Sequence, residues 1–260
     1  MTESKNSIIF AGAGPGDPEL ITVKAQRALK AADMVIYAGS LVPEVVLKWA
    51  KPNTELINSA SLHLKEIVAA MAKGYNEGKR VLRLHSGDPS LYGAIFEQIA
   101  ELQKKSIPFT LIPGVTAAFA AAAAMGIEYT LPEVSQTLIL TRMAGRTPVP
   151  ESEALELLAA HRTSMAIYLS ITLVDDVATI LKNAYGENAT CAVAFRVSQP
   201  EEKIFFTRIG DLARRVKAEN ITHQALIIVG KVLDMHGAEP EYKSKLYDKN
   251  FSHGYRVSEK

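Results

Sequence analysis

Two loops rich in glycine, aspartate and proline, each directly after a short apolar segment, constrain this chain more than any other feature. The first loop, 11–18, follows the apolar run 8–10, and the second, 85–90, follows a strand predicted at 80–84. Glycine and proline end a strand abruptly, and open α/β sheets bind ligands beside the carboxyl ends of their strands. The two loops therefore predict a single ligand-binding crevice.

The rest of the chain alternates strand and helix signals, which is the pattern of βαβ units with a largely parallel sheet. Further strands are predicted at 34–37, 109–112, 137–141, 165–169, 190–195, 203–207 and 225–229. Helices are predicted at 22–32, 45–50, 62–76, 92–104, 115–125, 151–160, 173–184 and 211–218. We therefore predict an α/β fold of two domains, 1–132 and 133–236, with Pro132 marking the boundary, and a polar, loosely held tail at 237–260.

Composition narrows the classes of function. Lys and Arg total 29 and Asp and Glu total 28, and this balance argues against a general nucleic-acid binder, which carries a basic excess. The longest alanine-rich stretch, 117–125, is too short to span a bilayer, and the early sequence has no secretory pattern. The single cysteine, Cys191, lies in an apolar run, where it is predicted to be a small buried hydrophobe. We expect a cytoplasmic protein with no membrane or nucleic-acid partner.

The first glycine loop resembles two nucleotide-binding loops but matches neither. A dinucleotide fingerprint needs a third glycine after two residues and an acid at the end of the second strand, whereas this chain has Asp17 and then Tyr-Ala-Gly-Ser at 37–40. A P-loop needs Lys followed by Ser or Thr after its glycines, and no such pair follows the glycines of this loop. Each glycine loop also has a structural interpretation that stays open. The first loop can be a tight turn with Pro18 at the first helical position, and the second can be a helix cap at Asp88.

The sequence offers little for metal binding or nucleophilic catalysis. Its six histidines show no paired ligand spacing and one cysteine cannot complete a zinc set, so we predict no metal. Ser86 lacks the Gly-x-Ser-x-Gly pattern of a hydrolase nucleophile. His85 and His223 are each either a loop or packing residue or a general base. No catalytic residue is assigned.

Three motifs together resemble the tetrapyrrole methyltransferases that use S-adenosylmethionine. Residues 12–22 look like the first signature of that family, 86–93 like the second, and 112–117 like a third. Within the family, 37–42 and 141–151 look most like the subgroup that methylates carbon 11 of precorrin-4 or cobalt-precorrin-4 in corrinoid synthesis. The resemblance covers nearly the whole chain.

The resemblance implies a two-domain tetrapyrrole methylase fold with S-adenosylmethionine bound in the interdomain cleft, S-adenosylhomocysteine as product, and a homodimer. The positions that match donor contacts of the family are Pro15, Ser86, Gly87, Asp88, Leu91, Thr116, Ala117, Leu169, Val197 and Ala225. Some relatives have Met where this chain has Leu169 and Gly where it has Val197. Both replacements are apolar and allow backbone contacts, although Val197 adds side-chain bulk.

The implied chemistry explains the absence of a catalytic triad. A sulfonium methyl group is an activated electrophile and the macrocycle carbon is the nucleophile, so the protein mainly aligns the two and excludes water. The macrocycle bears many carboxylates, for which Arg is the preferred partner. The leading candidates for macrocycle binding are Arg142 and Arg146, followed by Arg83, His85 and Arg196. The alternative for each arginine is a solvated surface charge.

Other functions remain compatible with the same fold. The acceptor in this family can instead be uroporphyrinogen III, a diphthamide precursor on a protein, or ribosomal RNA, although the balanced charge argues against RNA. A binding module for nucleotides or tetrapyrroles that has lost catalysis is a further alternative. No motif indicates whether the acceptor already carries cobalt.

Overall fold

The computed structural model describes residues 7–235 and 244–257, which form two five-stranded sheets. These residues divide into two compact units. One unit runs to Ala120 and includes Arg196–Pro200, and the other comprises Ala121–Phe195 and the described residues from Glu201 onward. The predicted domain ranges 1–132 and 133–236 stay a prediction. Of the predicted tail 237–260, the segments 237–243 and 258–260 lie outside the described residues.

The sheet of the first unit is entirely parallel. Its strand order is β3-β2-β4-β1-β5. The strands are β1 (Ile8–Gly12), β2 (Met34–Tyr37), β3 (Glu55–Asn58), β4 (Val81–His85) and β5 (Phe109–Ile112). The parallel arrangement confirms the prediction for this half of the chain. Sequence analysis missed β3 because this edge strand is largely exposed and carries polar residues at both ends.

Helices cover both faces of this sheet, and the switch between faces falls at its centre. The helices of the first half are α1 (Val23–Ala31), α2 (Leu64–Asn76), α3 (Ile95–Lys104) and α4 (Ala117–Met125). Leu29 of α1 clusters with the β1 residue Ala11, whereas Leu102 of α3 clusters with Phe10, the neighbouring β1 residue. Successive strand residues face opposite sides, so the helices that follow β1 and β4 lie on opposite faces. Neighbouring strands with such divergent connections form the switch point at which α/β sheets bind ligands.

The sheet of the second unit is mixed, so the largely parallel expectation is wrong for this half. Its strands are β6 (Leu138–Arg142), β7 (Ser164–Tyr168), β8 (Thr190–Phe195), β9 (Lys203–Arg208) and β10 (Ala225–Val229), in the order β6-β7-β10-β8-β9. Only the β6–β7 pair is parallel. The physical reason is clearest at 196–202, because a connection this short and without a helix returns the chain antiparallel.

Strand directions bring several chain segments to one edge of the second sheet. Both β7 and β8 run antiparallel to β10, and β6 runs parallel to β7. The carboxyl ends of β6, β7 and β8 and the amino end of β10 therefore share an edge. This is the edge at which Arg142, Leu169 and Ala225 lie.

The core of the second unit packs three helices against the sheet. The helices are α5 (Leu155–Ala159), α6 (Val174–Tyr185) and α7 (Leu212–Ala218). Their buried residues cluster with Met165, Val193 and Ile227 of the strands. Cys191 is fully buried in the same cluster, as predicted. Burial raises the pKa of its thiol to about 12, which keeps the thiol protonated at neutral pH.

Three predicted helices differ from the structure for local reasons. The segment predicted at 45–50 is a 3₁₀ helix, Glu44–Trp49. The helix predicted at 92–104 begins only at Ile95, because Tyr92 and Ala94 adopt left-handed backbone conformations. The helix predicted at 151–160 is a 3₁₀ turn followed by the short α5, with extended backbone at Ala154 between them.

Candidate functional site

Three glycine loops meet at the switch point of the first sheet. The backbone N–H of Ala13 donates to the carbonyl of His85 at 2.7 Å. Gly14 and Gly87 form a two-way bridge, in which the Gly87 N–H donates to Gly14 O at 2.8 Å and the Gly14 N–H donates to Gly87 O at 3.4 Å. The first and second loops are therefore hydrogen-bonded beyond the strands themselves, as the prediction of a single crevice requires.

The third loop, after β5, joins this junction through backbone contact that only glycine allows. An added Cβ would lie 2.0 Å from Gly87 O at Gly114 and 2.3 Å from the same oxygen at Gly12. Both distances are far below van der Waals contact, so neither position accepts a side chain without backbone movement. Gly87 is constrained differently. It has space for a Cβ but lies at φ +61°, where glycine is favoured.

Asp88 fastens the second loop to the third. Its Oδ1 accepts the backbone N–H of Ser90 at 2.8 Å, and its Oδ2 accepts the backbone N–H of Gly114 at 2.8 Å. Burial by itself raises the pKa of Asp88, but hydrogen bonds from Ser90 and Gly114 outweigh it and hold the pKa below its usual value. The helix-cap interpretation is wrong, because the N-cap of α3 is Ala94. For the first loop, Pro18 does open a 3₁₀ turn as predicted, with Asp17 as N-cap.

Most of the predicted donor residues of the first unit lie in or directly after these three loops. Pro15 is buried in the first loop, Ser86 is partly buried in the second, and Leu91, also partly buried, follows the second loop. Thr116 is buried beside Gly87, with its Cα 3.6 Å from the position of an added Gly87 Cβ, and Ala117 begins α4.

The segment Arg196–Pro200 completes the first unit against the first loop. The backbone N–H of Asp17 donates to Ser198 Oγ at 3.0 Å, and Gln199 Nε2 donates to Pro15 O at 3.3 Å. Val197, the predicted donor contact, is buried between Arg196 at φ +44° and Ser198 at φ +66°. Sequence analysis missed Ser198 and Gln199, and their only signal was their position beside Val197.

Left-handed backbone also marks the predicted donor positions of the second unit. Leu169 follows β7 at φ +52° with 63% of its surface exposed. Gln224, at φ +48°, directly precedes the buried Ala225. Non-glycine residues in this region cost free energy and cluster at binding sites. Packing does not explain this conformation at Leu169, because most of its surface is exposed, and its contact with the donor stays a prediction.

The loop after β6 is held by Arg142, the last residue of that strand, and by a serine. Arg142 Nη1 donates to Thr147 O at 3.1 Å and its Nη2 donates to Pro148 O at 2.6 Å. Ser170 Oγ accepts the Met143 N–H at 2.8 Å and donates to Tyr168 O at 2.7 Å, so it ties this loop to the segment containing Leu169.

Among the described residues, Arg146 has no hydrogen-bond or ion-pair partner, and its side chain is exposed. The two leading candidates for macrocycle binding are therefore in different situations. The Arg142 guanidinium organises its own loop, whereas that of Arg146 is available to a carboxylate. Arg196, another arginine predicted to bind the macrocycle, follows β8 and is partly buried.

Arg83 and His85, also predicted to bind the macrocycle, point into the first unit, and each is only 4% exposed. His85 stacks on Phe10 with ring centroids 6.0 Å apart, and its Nε2 has no partner among the described residues. Burial, followed by the charge of Arg83, lowers the pKa of His85 to about 3, so the imidazole is neutral at pH 7. Their role in macrocycle binding stays a prediction that exposure does not favour.

Neither metal ligands nor a membrane segment emerges from the described part of the chain. Within it, no group of three or more His, Cys, Asp or Glu side chains is arranged to hold a metal ion. No helix in residues 7–235 or 244–257 is both long and apolar enough to cross a membrane.

Comparison with known proteins places the chain among named relatives over nearly its full length. The family model for tetrapyrrole (corrin/porphyrin) methylases matches residues 7–213. The chain is 51% identical to a cobalt-precorrin-4 C(11)-methyltransferase of Methanocaldococcus jannaschii, covering 99% of both chains. It is 46% identical to a precorrin-4 C(11)-methyltransferase of Pseudomonas aeruginosa, covering 97% of this chain and 100% of the relative. Identity is 32% to a uroporphyrinogen-III C-methyltransferase of M. jannaschii, covering 88% of this chain and 97% of the relative.

Solved structures give the same pattern. A cobalt-precorrin-4 methyltransferase of cobalamin biosynthesis superimposes with a TM-score of 0.86 at 44% identity, covering 89% of this chain and 97% of that one. A uroporphyrin-III C-methyltransferase from Thermus thermophilus, complexed with S-adenosylhomocysteine, superimposes with a TM-score of 0.73 at 26% identity, covering 87% of this chain and 93% of that one.

Proposed function

This chain belongs to the tetrapyrrole (corrin/porphyrin) methylase family, and we propose that it transfers the methyl group of S-adenosylmethionine to carbon 11 of cobalt-precorrin-4 or precorrin-4 in cobalamin biosynthesis. The observation that carries the proposal is the junction of Gly12, Gly87 and Gly114 at the switch point of a parallel sheet. Close backbone approach at the carboxyl ends of such strands is how α/β sheets accommodate a nucleoside-bearing ligand.

The choice of acceptor follows from the identity gap between two enzymes of one organism. The chain is 51% identical to the cobalt-precorrin-4 enzyme of M. jannaschii and 32% identical to its uroporphyrinogen enzyme. The organism is the same in both comparisons, so the difference reflects the branch of the family. The gap favours the carbon-11 reaction over the alternatives of uroporphyrinogen III and a diphthamide precursor.

The residues of the first unit fit S-adenosylmethionine as the donor. When bound, the donor supplies a sulfonium methyl group that needs no further activation. Thr116 lies beside Gly87 of the glycine junction, Pro15 and Ser86 are the sequence neighbours of the bridged Gly14 and Gly87, and Asp88 holds the second and third loops together. The protein's part is to fix the donor and exclude water rather than to move a proton.

For the methyl acceptor, we propose that Arg146 contacts a carboxylate of the macrocycle directly and that Arg142 holds the conformation of the loop after β6. A macrocycle carboxylate pairs best with a guanidinium that has donors to spare. Arg146 is exposed without an intramolecular partner among the described residues, whereas Arg142 already donates to Thr147 O and Pro148 O. Arg142 is the last residue of β6 and Arg146 lies in the loop that follows, within the segment 141–151 whose sequence resembles the carbon-11 subgroup.

A two-part experiment tests the proposed function. Calorimetric titration measures S-adenosylhomocysteine binding, and a labelled methyl donor then reports transfer to cobalt-precorrin-4 and to metal-free precorrin-4. One methyl per macrocycle at carbon 11, located by carbon NMR, is the expected result. Two methyls on uroporphyrinogen III, or label on protein, would assign another branch. Ligand uptake without methyl transfer to any of these acceptors would identify a binding module.

We further propose that the enzyme is a cytoplasmic homodimer. The family resemblance supports this proposal, and the buried reduced Cys191 is compatible with the compartment. Light scattering coupled to size-exclusion chromatography tests the assembly, because a particle of a single 28.3 kDa chain at micromolar concentration would contradict it.

A further inference from the structure

Arg83 is a buried cation with no carboxylate partner among the described residues. It lies on the central strand β4, only 4% exposed, and its recorded partners are all neutral. Burial lowers the pKa of Arg83 to about 10, so the side chain remains charged at neutral pH. Burying a charge that only neutral groups solvate costs free energy. The groups that accept hydrogen bonds from Arg83 show which parts of the structure it orients.

One side of the guanidinium anchors to the neighbouring strand β2. Arg83 Nη1 donates to Ile36 O at 3.2 Å and to Ser59 Oγ at 3.0 Å. Ser59 Oγ in turn donates to Tyr37 O at 3.0 Å. These contacts fix Arg83 to the interior of the sheet and do not involve the glycine loops.

The other side reaches, through Gln98, the short segment 91–94 that connects the second loop to α3. Arg83 Nε donates to Gln98 Oε1 at 3.0 Å, and Gln98 Nε2 donates to Ala94 O at 3.0 Å. Since an arginine can only donate, the first bond fixes which way the amide points, with its NH₂ group toward Ala94. Ala94 is the left-handed residue at φ +49° that ends this connecting segment and caps α3 without a side-chain hydrogen bond.

We propose that Arg83 and Gln98 are positioning residues that hold the second loop, together with the residues 91–94 that connect it to α3, in the conformation that receives the methyl donor. The inference rests on the proposed function, because it takes that loop to be part of the donor site. Arg83 orients Gln98, and Gln98 stabilises the carbonyl of Ala94 in a backbone conformation that alanine disfavours. The buried pair thereby acts on the donor site without touching the donor.

The test uses the two bonds of Gln98 separately. Gln98→Glu keeps an acceptor for Arg83 and supplies the missing carboxylate, but it removes the donor to Ala94 O. We expect the melting temperature to stay within about 2 °C of wild type or to rise, while S-adenosylhomocysteine dissociation constants increase about threefold to tenfold, as expected for one lost hydrogen bond. In the double variant Gln98→Glu/Ala94→Gly, affinity should recover to within about twofold, because glycine adopts the left-handed conformation without help.

Ser59→Ala is the matched control, since it removes an Arg83 contact on the side away from the loop. It should lower the melting temperature and leave the dissociation constant within about twofold of wild type. The inference is overturned if Gln98→Glu binds like wild type, if Ser59→Ala weakens binding as much as Gln98→Glu, or if Ala94→Gly restores nothing. If Gln98→Glu does not fold, Gln98→Met takes its place, and Gln98→Met/Ala94→Gly takes the place of the double variant. The same outcomes then support or overturn the inference. Failure of wild type to bind S-adenosylhomocysteine would instead refute the proposed function.

Discussion

Asp88 Oδ2 accepts the backbone N–H of Gly114 at 2.8 Å, so the carboxylate of the second loop directly fastens the third. The same side chain closes a turn with Ser90. These contacts account for the lowered pKa of Asp88 despite its burial. Asp88 thus links the second loop to the third, and its contact with the methyl donor stays a prediction.

Replacing Asp88 should affect both stability and binding. Asp88→Ala leaves the Gly114 N–H without its partner, which we expect to lower the free energy of unfolding by about 1–3 kcal/mol. The dissociation constant of S-adenosylhomocysteine should rise at least tenfold in calorimetric titration. Asp88→Asn keeps one acceptor oxygen and should fall between wild type and Asp88→Ala in both measurements. A variant with unchanged stability would show that the Asp88–Gly114 bond contributes nothing in solution.

The glycine junction predicts a position-specific sensitivity to one methyl group. At Gly114 an added Cβ would lie 2.0 Å from Gly87 O, so Gly114→Ala must displace backbone. We expect a cost of about 2–4 kcal/mol in unfolding free energy and loss of measurable donor binding. Gly126→Ala is the control. Its φ is +66° with nothing within 4 Å of the added Cβ, so it should cost only about 1 kcal/mol and bind the donor normally. Equal donor binding by both variants would show that the glycine junction is not part of the donor site.

The loops of the first unit were predictable because glycine, aspartate and proline report local backbone directly. Residues 11–18 and 85–90 stand where strands end, and parallel strands bring such ends to one edge. The direction of β9 was not predicted, because the residue pattern of a strand does not indicate whether it runs parallel or antiparallel to its neighbour. That direction depends on the short connection 196–202 and on the partner that β8 offers.

The strained and buried features of the site had no signal in the sequence. Leu169 and Ala94 occupy left-handed conformations for which glycine is the usual residue. Leucine and alanine therefore gave no basis for predicting these conformations from the sequence. Arg83 and His85 were predicted to bind the macrocycle because its carboxylates pair with cationic side chains. Their burial depends on Gln98, Ser59 and Phe10, which are distant in sequence.

The loop after β6 predicts different consequences for its two arginines. Arg146→Ala should raise the Michaelis constant for the tetrapyrrole, with a cost of roughly 1.5–3 kcal/mol in kcat/KM, and leave donor affinity unchanged. Arg146→Lys should recover only part, because it keeps the charge and loses the planar fork. Arg142→Ala should also lower the melting temperature, since Arg142 holds Thr147 O and Pro148 O. Wild-type kinetics in Arg146→Ala would mean that this side chain is solvated surface.

His85 predicts an acid-sensitive component of stability. A histidine in the unfolded chain has a pKa near 6.5, whereas burial and the charge of Arg83 lower the folded-state pKa of His85 to about 3. Between these values the unfolded chain binds a proton that the folded chain excludes, so stability falls as pH decreases from about 6.5 to about 3 and is independent of this residue above that window. From pH 6 to pH 4 the loss due to His85 should be about 2 kcal/mol. Urea unfolding of wild type and His85→Gln at both pH values measures it, because the variant should lose that much less on acidification. Parallel stability profiles for the two proteins would show that the imidazole is already solvated or protonated in the folded state.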